Sequence, residues 1–247
     1  ALTATIAVDA LGSENVIGVA MPSKYNSEES LLDAKSLAEN LKIEFKIIQI
    51  EEIVENFRNT LTGVLDEELG QTTDENIQSR VRGNILMALS NQTGAMVVST
   101  GNKSEMAVGY STLYGDLAGG FALLKDLYKT EVYNLSNFRN SISNIIPQNT
   151  IDKEPSAELR PDQYDKDSLP EYDLLDKILH LYIEEDSSSE KIISTGIDEN
   201  VVYDVLSKVD RNEYKRKQVA PGVKLTEKAF GKDRRMPITN TYIRERD

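Results

Sequence analysis

NVIGVAMPSKYNSEESLLDAKSLAENLKIEFKIIQI, residues 15–50, sets the fold class. Its opening β-branched run, residues 15–21, ends at Pro22 and a serine-rich turn and reads as a buried strand. Residues 27–41 then place Leu31, Leu32, Ala34, Leu37, Ala38 and Leu41 on one broad helical face, and residues 44–50 form a second strand. Strand, helix, strand in this order predicts parallel pairing through a right-handed crossover, hence an α/β domain with an open parallel sheet.

The flanking segments extend the pattern. Residues 1–11 are rich in helix formers, with Leu2, Ile6 and Val8 apolar and Gly12 as a stop, but no capping residue precedes them. Residues 51–65 read as a helix, and a polar stretch, 66–73, leads into another at 74–91. There Thr72 and Glu75 have capping-box spacing and Ile77, Val81, Ile85, Ala88 and Leu89 form the stripe. Residues 95–99 read as a third strand. Beyond Asp116 the pattern loosens into helices at 127–137, 172–184 and 200–209, an irregular stretch at 145–166, and an exposed serine-rich loop at 184–190. This divides the chain into an α/β core, 1–143, and a mostly irregular, helix-containing C-terminal extension, 144–247.

Composition narrows the chemistry. In 247 residues there is no cysteine, which excludes disulfides, thiolate nucleophiles and Cys-based zinc sites, and the one histidine, His180, leaves almost no room for a His-dependent metal cluster. Any reaction must rest on carboxylates, Lys and Arg, hydroxyls, backbone amides or a bound metal. The net charge of −13 argues against a general nucleic-acid surface. The charge is uneven: residues 211–247 carry 11 basic and 5 acidic side chains. Such a tail could cover an anionic ligand, although charge alone favours a solvated or inter-subunit contact. No stretch is apolar enough to span a membrane, and a cytoplasmic protein is expected.

In open α/β sheets ligands bind beyond the carboxyl ends of the strands, which directs attention to STGNKSEMAVGYSTLYGD, residues 99–116. Its glycines at 101, 109 and 115 permit close backbone approach to phosphate or sugar, and Glu105 and Asp116 offer carboxylates for a metal or for hydroxyls. Asn76 and Arg80 stand one turn apart on the helix at 74–91, where Arg80 suits a phosphate or carboxylate; a solvated face explains them as well. NEYKRK, residues 212–217, and the lysines and arginines after it could close over an anion, while Lys129 and KEPS, residues 153–156, are isolated candidates.

Together these segments resemble the NAD synthetases, more closely the glutamine-dependent branch. The resemblance runs through GVAMPS (18–23), ENIQSRVRGNILMALSN (75–91), residues 99–116, LYKTEVYNL (127–135), KEPSAELRPDQYDKDSLPEYDLLD (153–176), RNEYKRKQVAPG (211–222) and FGKDRRMPI (230–238). It implies a Rossmann-like parallel sheet with helices on both faces, of the adenine nucleotide α-hydrolase-like type. It also implies a two-step ligase reaction using Mg2+. ATP adenylates the nicotinate carboxylate of deamido-NAD, and ammonia then displaces AMP.

By position the resemblance puts Met21, Thr100, Lys129 and Ser156 on ATP, with Lys129 and Glu105 as the catalytic pair and Glu105 also toward the metal. Asn76, Arg80, Glu105, Tyr110, Ser111, Thr112, Leu113, Asp116 and Lys215 fall to deamido-NAD. It further implies a glutaminase domain upstream and at least a dimer. The family's SGGxDS phosphate loop does not occur in the sequence. Residue 1 matches the position after that loop, so the chain is expected to be truncated at its N-terminus and inactive alone. The other readings are a different amide-forming ATP pyrophosphatase and a non-catalytic nucleotide-binding or interaction domain on the same scaffold.

Overall fold

A computed structural model describes residues 1–65 and 68–239. Part of the polar stretch at 66–73 and the last basic residues of the tail, Arg244 and Arg246, lie outside the described residues.

The helices, in chain order, are α1 (Leu2–Leu11), α2 (Glu28–Leu41), α3 (Glu51–Thr62), α4 (Gln71–Thr93), α5 (Lys103–Val108), α6 (Lys129–Ile142), α7 (Gln148–Asp152), α8 (Tyr172–Leu179), α9 (Ser189–Ile193), α10 (Glu199–Arg211) and α11 (Glu213–Arg216). The strands are β1 (Ile17–Ala20), β2 (Glu44–Ile47), β3 (Val98–Ser99) and β4 (Phe121–Ala122). Contacts divide the chain into two compact units, 1–89 with 133–168 and 90–132 with 169–247. The units therefore do not coincide with the core of 1–143 and extension of 144–247 expected from the sequence. The boundaries fall within α4, within α6 and between Ser168 and Leu169.

In the first unit β1 and β2 pair in parallel, Ile17 opposite Glu44 and Ala20 opposite Ile47. The α2 crossover between them starts where Ser27 Oγ accepts from Ser30 N at 3.1 Å and ends at Lys42 in the left-handed region, φ 56°. Helix α1 has no side-chain cap, and Gly12 closes it by donating to Val8 O. Ile50, Val54, Ile77 and Val81 form a core joining α3 to α4, with Met21, Leu61, Leu69 and Ile85 against it. Helix α4 starts earlier than its sequence suggests. Thr72 lies inside the helix, so the Thr72–Glu75 capping box does not form, and Gly70 O accepts the first amides instead.

The second unit pairs β3 with β4, also in parallel, Val98 opposite Phe121 and Ser99 opposite Ala122. The parallel pairing agrees with the expectation, but the described residues form two separate two-stranded ladders. The unit's core is helical: Ala107 and Val108 of α5, Leu175, Ile178 and Leu179 of α8, Ile192 of α9, and Val202, Val205, Leu206 and Val209 of α10. Helix α8 continues into a π-helical turn, His180–Glu184. The serine-rich loop at 184–190 is not simply exposed: Ser187 and Ser189 are buried, and Ser188 caps α9.

Candidate functional site

The candidate residues are divided between the units. Met21, Asn76, Arg80 and Ser156 belong to the first; Thr100, Glu105, Tyr110–Leu113, Asp116, Lys129 and Lys215 belong to the second. Each group has its own framework.

In the second unit β3 ends at Ser99, Thr100 is exposed, and Asn102 starts α5. The cap is a reciprocal box. Asn102 Oδ1 accepts from Glu105 N at 3.0 Å, and Glu105 Oε2 accepts from Asn102 N at 3.1 Å. This fixes the Glu105 side chain and leaves Oε1 to accept from Lys129 Nζ at 3.2 Å. Lys129 opens α6, its ammonium 5.2 Å from the centre of the Tyr172 ring. Both members of the pair are about one-fifth exposed, so the ion pair stands at a surface a ligand can reach.

The loop after α5 is held by the basic segment. Gly109 ends the helix with φ 73°, and a Cβ there would lie 2.1 Å from Asn212 Cγ. Lys215 Nζ donates to Gly109 O at 2.6 Å and Ser111 O at 2.8 Å, drawing the 110–113 stretch against α11. Asp116 Oδ1 accepts from Thr112 N at 2.7 Å, closing the turn. Burial draws the Lys215 ammonium below its usual range, with the Asp116 charge opposing. Lys215 thus sits on a short helix whose Glu213 and Arg216 are buried, not on the flexible tail its sequence suggests.

In the first unit Met21 follows β1, and its carbonyl accepts from Arg82 Nε at 2.9 Å. Arg82 Nη2 donates to Asn26 Oδ1 at 3.0 Å, and Asn26 Nδ2 to Glu158 Oε2 at 2.9 Å. Glu158 Oε1 accepts from Lys153 Nζ and Ser30 Oγ, each at 2.7 Å. Burial alone would raise the Glu158 carboxyl, yet these donors, Lys153 first, hold it below the usual range. Ser156 Oγ accepts from Glu158 N at 3.0 Å and donates to Gln163 O, shaping the 156–163 turn. Gln78 Nε2 ties α4 to this turn through Leu159 O at 2.9 Å. Asn76 is half-buried and Arg80 exposed on the same helix.

Sequence reasoning missed Lys103 and Asp176, which build this framework. Lys103 is fully buried, its ammonium 3.0 Å from Asp126 Oδ1 and also bonded to Glu184, Thr226 Oγ1 and Lys228 O. Ser104 and Asp176 are buried partners. Burial pushes the Asp176 carboxyl above its usual range, the bonds from Ser104 and Thr130 working against that. The N-x-x-E spacing of Asn102 and Glu105 was the one local signal that could have revealed α5.

A metal at Glu105 would need further oxygen donors. Both Glu105 oxygens are engaged, and among the described residues no group of three or more acidic or histidine side chains stands together.

The model of the NAD synthase family matches residues 1–219, most of the chain. The chain belongs to the NAD synthase family. Among curated relatives, the glutamine-dependent NAD(+) synthetase of Thermotoga maritima is 55% identical over 98% of this chain and 42% of its own length. Among solved structures, the glutamine-dependent NAD+ synthetase of Acinetobacter baumannii, in complex with ADP, is 48% identical with TM-score 0.61, covering 96% of this chain and 43% of that one. The NH3-dependent NAD synthetase of Campylobacter jejuni is 29% identical with TM-score 0.68, covering 87% and 80%. The chain spans less than half the length of the glutamine-dependent relatives it matches. These likenesses give this NAD synthase family member the α/β, adenine nucleotide α-hydrolase-like fold, to which its short parallel ladders conform. Among its described residues no helix is long and apolar enough to cross a membrane.

Proposed function

We propose that this chain is the ATP-using amidation part of a glutamine-dependent NAD synthetase, acting in the cytoplasm as at least a dimer. The observation that carries the reading is the Lys129–Glu105 pair, fixed by the Asn102 cap at the end of β3 in a chain of this family.

In the first step a nicotinate carboxylate oxygen of deamido-NAD attacks the α-phosphorus of ATP, the bond to the β-phosphate breaks, and pyrophosphate leaves. In the second, the ammonia nitrogen attacks the acyl carbon, AMP departs with the bonding pair, and the nitrogen loses a proton. Lys129 offsets charge developing on the phosphates, and Glu105 holds that ammonium in place. Met21, Thr100 and Ser156 contact ATP. Asn76, Arg80, Glu105, the Tyr110–Leu113 stretch, Asp116 and Lys215 hold deamido-NAD and set its carboxylate in line. Mg2+ would arrive on the ATP phosphates, and no step above depends on it. A glutaminase domain of the longer protein would supply the ammonia.

The test is turnover by the intact protein with ATP, deamido-NAD and ammonium. Equal amounts of NAD, AMP and pyrophosphate are expected. ATP hydrolysis to ADP, or no consumption of deamido-NAD, overturns the reading and leaves a nucleotide-binding or interaction role.

A further inference from the structure

Three successive residues of α5 are each committed to a different anchor: Lys103 to the Asp126–Glu184 cluster, Ser104 to Asp176, and Glu105 to Lys129. The second anchor is a charge with no counter-charge. Asp176 is only 6% exposed, and among the described residues its partners are all neutral donors: Ser104 Oγ, Thr130 N at 2.9 Å and Thr130 Oγ1 at 2.8 Å. A carboxylate buried without a cation costs free energy that a plain cap for a surface helix does not require. Its placement explains the arrangement.

The start of α6 carries amides with no partner in their own helix. Here they are met from α5 and α8. Lys129 N donates to Ser104 Oγ at 2.9 Å, Ser104 Oγ in turn donates to Asp176 Oδ1, and Thr130 N donates to Asp176 directly. Asp176 lies one helical turn beyond Tyr172, whose ring lies beneath the Lys129 ammonium. Lys129 is thus held at its amide, at the following residue and at its ammonium.

Resting on the function proposed above, we infer that Asp176, acting through Ser104, is the positioning residue that sets Lys129 for phosphate chemistry. It touches no reacting atom. It anchors the backbone from which Lys129 reaches the phosphates, in a reaction where a displacement of about 1 Å can cost on the order of 10²-fold in rate.

The test is a double-mutant cycle in the intact protein with Asp176→Asn, Lys129→Met and the pair, followed by kcat, the KM for ATP and thermal melting. Asp176→Asn keeps the shape but puts an NH2 against Ser104 or Thr130. It is expected to lower kcat on the order of 10²-fold with the KM for ATP little changed and the fold retained. In the Lys129→Met background the same change is expected to cost almost nothing, because its effect passes through a side chain already removed. Losses that multiply, or a folded Asp176→Asn with full kcat, overturn the proposal. If Asp176→Asn does not fold, Ser104→Ala takes its place in the cycle with the same expected non-additivity. Unfolding of both assigns the network to stability alone and overturns it too. A wild-type protein without turnover instead sinks the proposed function, and this inference with it.

Discussion

Glu105 accepts a hydrogen bond from Lys129 Nζ through one carboxylate oxygen and from the Asn102 amide through the other, so a catalytic candidate also completes the cap of its own helix. The side chain cannot turn toward a ligand without releasing either the cap or the lysine. This double duty shapes how substitutions near it should behave.

Replacing Lys129 with methionine removes the positive charge but keeps most of the contact with Tyr172. Turnover should fall by roughly 10²- to 10³-fold, the scale for losing one preorganised electrostatic contact to a transition state. Melting temperature should change little, since the Lys129–Glu105 pair is partly exposed and such pairs contribute little to stability. Steady-state rates and a thermal melt on one preparation decide it; a near-normal kcat removes Lys129 from the chemistry.

Gly109 leaves no room for a side chain. Its φ of 73° and the 2.1 Å approach of an added Cβ to Asn212 mean that Gly109→Ala must displace the Asn212 amide, which donates to Val108 O at 2.9 Å and Lys208 O at 2.8 Å. A loss of about 1–3 kcal/mol is expected from strain and broken hydrogen bonds. Because Lys215 binds Gly109 O, the KM for deamido-NAD should rise in the same variant. Urea unfolding and initial rates check both, and a variant as stable as the parent rules this packing out.

The Asp126 carboxyl should govern part of the acid limb of stability. Burial alone would raise it, but the Thr226 and Leu225 amides and Lys103 hold it below its usual range. A group depressed in the folded state stabilises the fold at pH above its unfolded value and loses that contribution as pH falls through the folded one. Stability should therefore drop from about pH 4 downward. Asp126→Asn should be less stable than the parent at pH 7 and show a flatter acid limb, measured by denaturant titration across pH. Parallel acid limbs for the two proteins refute the assignment.

Leu206 is fully buried between α10 and its neighbours. Leu206→Ala should cost about 2–5 kcal/mol through lost transfer energy and the cavity left behind. The midpoint of urea unfolding reads it directly; a change under about 1 kcal/mol would mean this core is loosely packed.

Arg82 offers a test confined to the first unit. It holds the Met21 carbonyl and Asn26, and through Asn26 the Glu158 carboxylate beside Ser156. Arg82→Met should raise the KM for ATP by about 10-fold, the scale of one hydrogen bond to a charged group, with kcat largely kept. A lower kcat at unchanged KM would place Arg82 elsewhere in the reaction.

The sequence alone determined the local grammar: the β1–α2–β2 crossover, the Gly12 stop, and the family-like segments that carry the candidate residues. Those signals lie within a few residues of one another, where helix period, strand run and capping spacing act directly. What it could not determine was the destination of side chains whose partners lie far along the chain. Ser104 meets Asp176 across 72 residues, and Lys103 meets Glu184 across 81. A lysine in a polar stretch reads as solvent-facing, and only the packing of α5 against Asp126, the π-helical turn and the 226–228 segment supplies enough acceptors to bury it. The pairing of Lys129 with Glu105 was decided in the same way. Each was a candidate by position in the sequence, but their 3.2 Å contact exists because tertiary packing brings the first turn of α6 onto the first turn of α5.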